Sequence, residues 1–107
     1  MEKLIDEFID YLKNIRNYSL LTCKNYYKDL MEYQNFLNIE NIKYSDMNYD
    51  LSLNYLIFLN NKKNSKATIS RKLSSLRSFY KYLVKMNKVK TNPFLLVSSP
   101  KKEKKNT

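Results

Sequence analysis

The chain has 107 residues, enough for one domain and too few for two comfortable ones. It is 43% hydrophobic and 14% aromatic, with ten Tyr, five Phe and no Trp, so a real core is affordable and disorder by composition is excluded. Its formal net charge is +10, and the excess is lopsided: residues 1–61 hold six bases and nine acids, residues 62–107 fourteen bases and one acid, Glu103. Such an asymmetry suggests a polyanionic partner, against the blander reading of a solvated lysine-rich surface.

Glycine is absent. Every helix end and turn that needs a positive φ must use another residue, and the many asparagines are the natural substitutes. Tight hairpins are hard to build this way, so the composition favours an all-α fold. There is no His, which removes the commonest general base and metal ligand. The one cysteine, Cys23, excludes an internal disulfide and fits a reducing cytoplasm, and its helical position reads as a buried small hydrophobe. Without glycine there is no phosphate-binding loop and no dinucleotide fingerprint. The N-terminus is acidic and amphipathic, unlike a signal peptide, and no apolar run approaches the ~20 residues needed to span a bilayer. The expectation is a cytoplasmic domain with no cofactor, no metal and no catalysis of its own.

In chain order, residues 2–16 place Leu4, Ile5, Phe8, Leu12 and Ile15 at helical spacing, with acids early and Lys13 and Arg16 late, as the helix dipole prefers. After a turn at Asn17–Tyr18, Ser19 caps a second helix running to about Asn38. Cys23, Tyr26, Tyr27, Tyr33, Gln34 and Leu37 gather on its inward half around Leu30, and Lys24, Asn25, Lys28, Glu32 and Asn35 look outward. Residues 39–49 lack a clear period and read as a loop whose Ile39, Ile42 and Met47 tuck into the core. A third helix begins at Asn48 or Asp50 and runs to Asn61. Its LSLNYLIFL run is apolar nearly all round, which predicts the most buried element; a strand over YLIFL is conceivable but has no visible partner.

The fourth helix starts at the cap Ser65 and ends between Lys85 and Asn87. With Ile69 as zero, Leu73, Leu76, Tyr80 and Leu83 fall within about 40° of it, and Arg71, Ser74, Ser78 and Lys85 lie opposite. Arg77 sits at about 80° from the core centre, where it can brace the helices or reach out from the flank. Asn92-Pro93 stops any continuation. Phe94, Leu95, Leu96 and Val97 are expected to fold back on the bundle as a short fifth turn or helix. The domain then spans residues 1–98, with 99–107 a basic linker or tail.

With catalytic chemistry missing, binding remains. Phosphates are contacted by Arg, Lys, Ser, Thr, Asn and helix N-terminal amides. Ser19, Thr22 and Asn25 open the second helix with that set, and Ser65, Lys66 and Thr68 the fourth; for Ser19 and Ser65 helix capping alone is an equal reading. Surface ion pairing is the alternative for Arg71 and Arg77, and simple solvation for Lys81, Lys85, Lys88 and Lys90.

The same residues carry a family resemblance. The second helix reads S-x-x-T-x-x-x-Y-x-x-D-L, as Ser19, Thr22, Tyr26, Asp29 and Leu30, followed by Phe36. The fourth reads S-x-x-T-I-x-R-x-L-S-x-L-R-x-F-Y-x-Y-L, from Ser65 through Thr68, Ile69, Arg71, Leu73, Ser74, Leu76, Arg77, Phe79, Tyr80 and Tyr82 to Leu83, with Asn92-Pro93 and Pro100-Lys101 after it. Over nearly all of residues 2–102 the chain resembles the N-terminal core-binding (SAM-like) domain of tyrosine recombinases of the phage-integrase and Xer type.

The resemblance implies a compact bundle of four main helices forming half of a C-shaped clamp on double-stranded DNA. The second and fourth helices would cross the major groove, a separate catalytic domain would follow the linker, and other recombinase protomers would join the full-length protein in a synaptic complex. The isolated domain is expected to be monomeric. On the DNA side the resemblance puts Thr22, Asn25, Lys28, Lys66, Thr68, Arg71 and Arg77; Ser19 and Ser65 join them as helix starts suited to phosphate, and Ser74 as a position pointing away from the core. Asn25 suits adenine and Arg71 guanine, with phosphate contact alone as the plainer option. The rival reading is a basic helical module that binds RNA or an acidic protein, or a stand-alone regulator.

Overall fold

A computed structural model describes residues 1–98. Four α-helices follow in order: α1, Glu2–Asn14; α2, Leu20–Glu40; α3, Tyr49–Asn61; and α4, Lys66–Lys85; a single 3-10 turn, Tyr44–Asp46, lies between α2 and α3. No strand occurs among the described residues. The basic tail expected at 99–107 lies outside them.

The helix boundaries follow local chemistry. Ser19 and Ser65 cap α2 and α4 identically: each hydroxyl accepts from the backbone N–H three residues on, Thr22 and Thr68, at 3.1 Å. Asn48 does the same for α3 through Leu51. At the other ends the missing glycines are replaced as expected. Asn17, Asn41 and Asn87 take left-handed φ values of 58°, 58° and 61°, and Lys63 takes 61°. The residue after each asparagine donates its N–H back into the last turn, as Ile42 does to Leu37 and Lys88 to Leu83.

Helix α4 is the axis of the bundle and packs against the other three. Ile69, Leu73, Leu76, Tyr80 and Leu83 are all buried, joined by Phe79, Tyr82 and Ser75. This corrects the expectation for α3, which buries only Ser52, Tyr55 and Leu59 and leaves Ile57 exposed. An all-round apolar sequence cannot be covered all round when the helix lies at the edge of the bundle.

Other apolar positions divide. Cys23 is buried as expected, and so are Phe8, Leu12, Leu30, Tyr33 and Leu37. Met47 is buried and Ile42 half-buried, but Ile39, in the last turn of a longer α2, is 76% exposed. Tyr27 is also exposed, and Ile15 protrudes where α1 ends. Beyond α4, Asn92 donates to the Arg77 carbonyl at 3.0 Å and accepts from the Phe94 amide at 3.0 Å. That clip closes a turn over residues 93–96 that brings Phe94 into the core against Tyr33, Tyr55 and Tyr80, and Val97 follows; Leu95 and Leu96 stay exposed.

Candidate nucleic-acid interface

Helical spacing sets Thr22, Asn25, Asp29 and Glu32 along one stripe of α2, and Thr68, Arg71, Ser75 and Ser78 along one stripe of α4. The two stripes meet. Arg71 donates from Nη2 to Asp29 Oδ1 at 2.8 Å and from Nε to Oδ2 at 3.3 Å, and the Ser75 hydroxyl donates to Oδ2 at 2.9 Å. Asp29 is 2% exposed and the Arg71 side chain 49%, so a buried carboxylate holds a half-exposed guanidinium by one edge. One turn along α2, Glu32 takes the Lys72 ammonium from α4 and the Lys62 ammonium from the end of α3, the latter at 3.2 Å. Burial pushes the Glu32 carboxyl up, but the hydrogen bonds and charges of Lys72 and Lys62 outweigh it and hold the group below its ordinary range.

These contacts revise three sequence readings. Arg71 lies on the seam between α2 and α4, where the helical wheel pointed it straight away from the core. Its acid comes from the other half of the chain, which is why the shortage of acids after residue 61 concealed the ion pair. Glu32 was expected to look outward and is instead largely covered by its two lysines.

The remaining candidates sort by what already holds them. Ser19 and Ser65 act as caps, and each also donates its hydroxyl hydrogen to Thr22 or Thr68, at 2.9 and 3.0 Å. The threonine oxygens thereby accept, and their own hydrogens stay free to be donated. Asn25 is half-buried on the rim of the seam; Lys28, Lys66 and Ser74 are exposed beside it. Among the described residues Lys28 and Lys66 enter no ion pair. Arg77 is braced: its guanidinium donates to the Phe94 and Val97 carbonyls and fastens the C-terminal turn to α4. Beside it, Ser78, Lys81, Val84, Lys90, Thr91 and Leu95 line an open groove of about 660 Å³. Lys85 lies 5.3 Å from the Tyr11 ring centre.

In the sequence Asp29 stands out only as part of the α2 motif, and nothing in it marks Lys72 or Ser75. A signal for Asp29 was present: it stands three residues after Tyr26 and four before Tyr33, on the inward arc of α2. A carboxylate there requires a cation from a neighbouring helix.

Residues 5–87 match the phage integrase, N-terminal SAM-like domain family. The chain belongs to that family. Over 105 residues it is 41% identical to the tyrosine recombinase XerC of Bacillus pumilus, a match covering 97% of this chain and 34% of that protein. It is 42% identical over 103 residues to XerC of Listeria monocytogenes serotype 4a, covering 94% and 34%, and 38% identical over 104 residues to XerC of Staphylococcus epidermidis, covering 97% and 35%. The chain thus spans about a third of the length of these curated relatives. No solved structure matches it. As a phage-integrase SAM-like domain it carries the helical, non-catalytic part of such proteins. No described helix is long and apolar enough to cross a membrane.

Proposed function

We propose that this phage-integrase SAM-like domain binds double-stranded DNA through the α2–α4 face and positions a tyrosine-recombinase catalytic domain at a recombination site. Lys28 and Lys66, with the free hydroxyl hydrogens of Thr22 and Thr68 and the exposed Ser74, contact phosphates, and Asn25 and Arg71 approach the major groove between them. The two helices then form one half of a clamp around the duplex, and other protomers of the same recombinase complete the synaptic assembly. The observation that carries this reading is the pair of exposed lysines, neither in an ion pair among the described residues, flanking a seam whose acids are already neutralised from within. A polyanion arriving there meets uncompensated positive charge on both helices. Membership of the family, and similarity to proteins named tyrosine recombinase XerC, supply the substrate class.

The test is the salt dependence of binding to duplex DNA. With about six phosphates neutralised, log K falls with log salt at a slope of about −5 to −6, and Lys28→Ala and Lys66→Ala each flatten it by about one. Unchanged affinity and slope in both variants would place the interface elsewhere. Displacement of the DNA by an A-form RNA duplex at equal concentration would favour the RNA-binding alternative.

A further inference from the structure

We propose that Asp29 is a positioning residue that converts Arg71 from a phosphate ligand into a reader of guanine; the inference rests on the DNA-binding reading above. It starts from donor arithmetic. A guanidinium has five N–H donors. Asp29 occupies the edge made by Nε and one hydrogen of Nη2, at 3.3 and 2.8 Å. Both hydrogens of Nη1 and the outer hydrogen of Nη2 remain. Two of these, one from each Nη, form a forward fork whose spacing matches the O6 and N7 acceptors on the major-groove edge of guanine.

Charge points the same way. Asp29 neutralises Arg71 at contact distance, so the pair offers a phosphate little net attraction, unlike Lys28 and Lys66 beside it. Neutral base acceptors do not need net charge; they need donors held in the right place. Asp29 supplies that hold. It is 2% exposed, is itself fixed by the Ser75 hydroxyl at 2.9 Å, and emerges from a helix packed on the core. The same Ser75 hydrogen is shared, at 3.2 Å, with the Arg71 carbonyl, so the backbone beneath the guanidinium is part of the same unit. A long side chain that would lose its rotamer freedom on binding DNA is already ordered before DNA arrives. Its outer half stays in solvent, with the side chain 49% exposed.

The chain is allowed to select duplexes from a randomised library, and the selected duplex is resynthesised with 7-deazaguanine, which lacks the N7 acceptor, at each guanine in turn. For the wild type, one such replacement weakens binding by about tenfold. Arg71→Lys keeps the charge that neutralises Asp29 and so keeps the fold, but has no fork; it loses the sensitivity at that position while its salt slope stays unchanged. Asp29→Asn releases the guanidinium and unmasks its charge: guanine preference falls, and the salt slope steepens by about one. A lock that served only to hold α2 to α4 would lower affinity for every duplex alike without changing the slope in this direction. Retention of the guanine preference in either variant overturns the inference, as does binding by the wild type with no guanine preference. Failure of the wild type to bind any duplex at low salt overturns the DNA-binding reading itself, and this inference with it.

Discussion

The hydroxyls of Tyr33 and Tyr80 meet 2.7 Å apart inside the core, and Tyr80 passes its hydrogen on to the Tyr44 carbonyl at 2.9 Å. One short relay therefore ties α2 and α4 to the 3-10 turn that leads into α3. Tyr55 packs edge-on against Tyr33, yet its buried hydroxyl has no hydrogen-bond partner among the described residues. Of these three fully covered phenols, two are satisfied and one is not.

Removing each hydroxyl should separate them. Tyr80→Phe strands both the Tyr33 hydroxyl and the Tyr44 carbonyl and should cost about 2 kcal/mol. Tyr33→Phe leaves the bond to Tyr44 intact and should cost about 1 kcal/mol. Tyr55→Phe deletes a polar atom that gains nothing from the fold, so it should be neutral or stabilising by up to about 1 kcal/mol. Urea denaturation of the three variants gives the order directly.

Burial pushes the phenols of Tyr33, Tyr55 and Tyr80 far above the ordinary tyrosine value of 10.0. For an acid whose folded pKa is raised, stability is fully present below the unfolded value and is lost as pH rises above it, because only the unfolded chain ionises. The protein should therefore hold its stability up to about pH 10 and lose it steeply above. Absorbance at 295 nm should show these tyrosines ionising only as helical circular dichroism collapses. Smooth titration of all ten in a folded protein would contradict the packing.

Glu32 gives the opposite window. Its folded pKa lies below the ordinary value of 4.5, so its contribution is present above that pH and disappears as pH falls through the lowered value. Lys62 is half-exposed, and solvent screening limits the gain to about 0.5–1 kcal/mol. Glu32→Gln should be destabilised by that amount at pH 7 and should converge with the wild type at acid pH, once the pH has fallen through the lowered value. Thermal melts at the two pH values test it.

The Asp29–Arg71 pair should respond unequally to truncation. Arg71→Ala leaves a buried carboxylate without its cation and should cost about 3 kcal/mol. Asp29→Ala leaves a guanidinium that can turn to water, since half of it is already exposed, and should cost only about 1–2 kcal/mol. Equal losses in denaturant titrations would mean that the buried Asp29 carboxylate does not depend on Arg71 as its partner.

How far the sequence could be followed depends on which interaction sets a feature. Helix starts were legible because Ser19, Asn48 and Ser65 act within three residues. The stripe from Ile69 to Leu83 was legible because period and burial coincide in a helix surrounded by the other three. Partners far apart in sequence were not. Position 71 looks solvent-facing on its own helix, and only the approach of α2 gives it an acid forty-two residues away. The burial of α3 was overestimated for the same reason, since a helix carries no record of how many neighbours will cover it. The inward turn at Phe94 was foreseen as a fold-back; the clip through Asn92 and Arg77 that causes it needed the structure.

Among the described residues four occupy the left-handed region, Asn17, Asn41, Lys63 and Asn87, in a chain without a single glycine. Each sits in strain that glycine would relieve, and Lys63 most of all, because lysine lacks the local hydrogen bonds with which asparagine offsets its steric clash. The domain therefore has unclaimed stability at its corners, in backbone turns outside the helices. An engineer who needs a hardier domain can begin at Lys63 and leave every core side chain untouched.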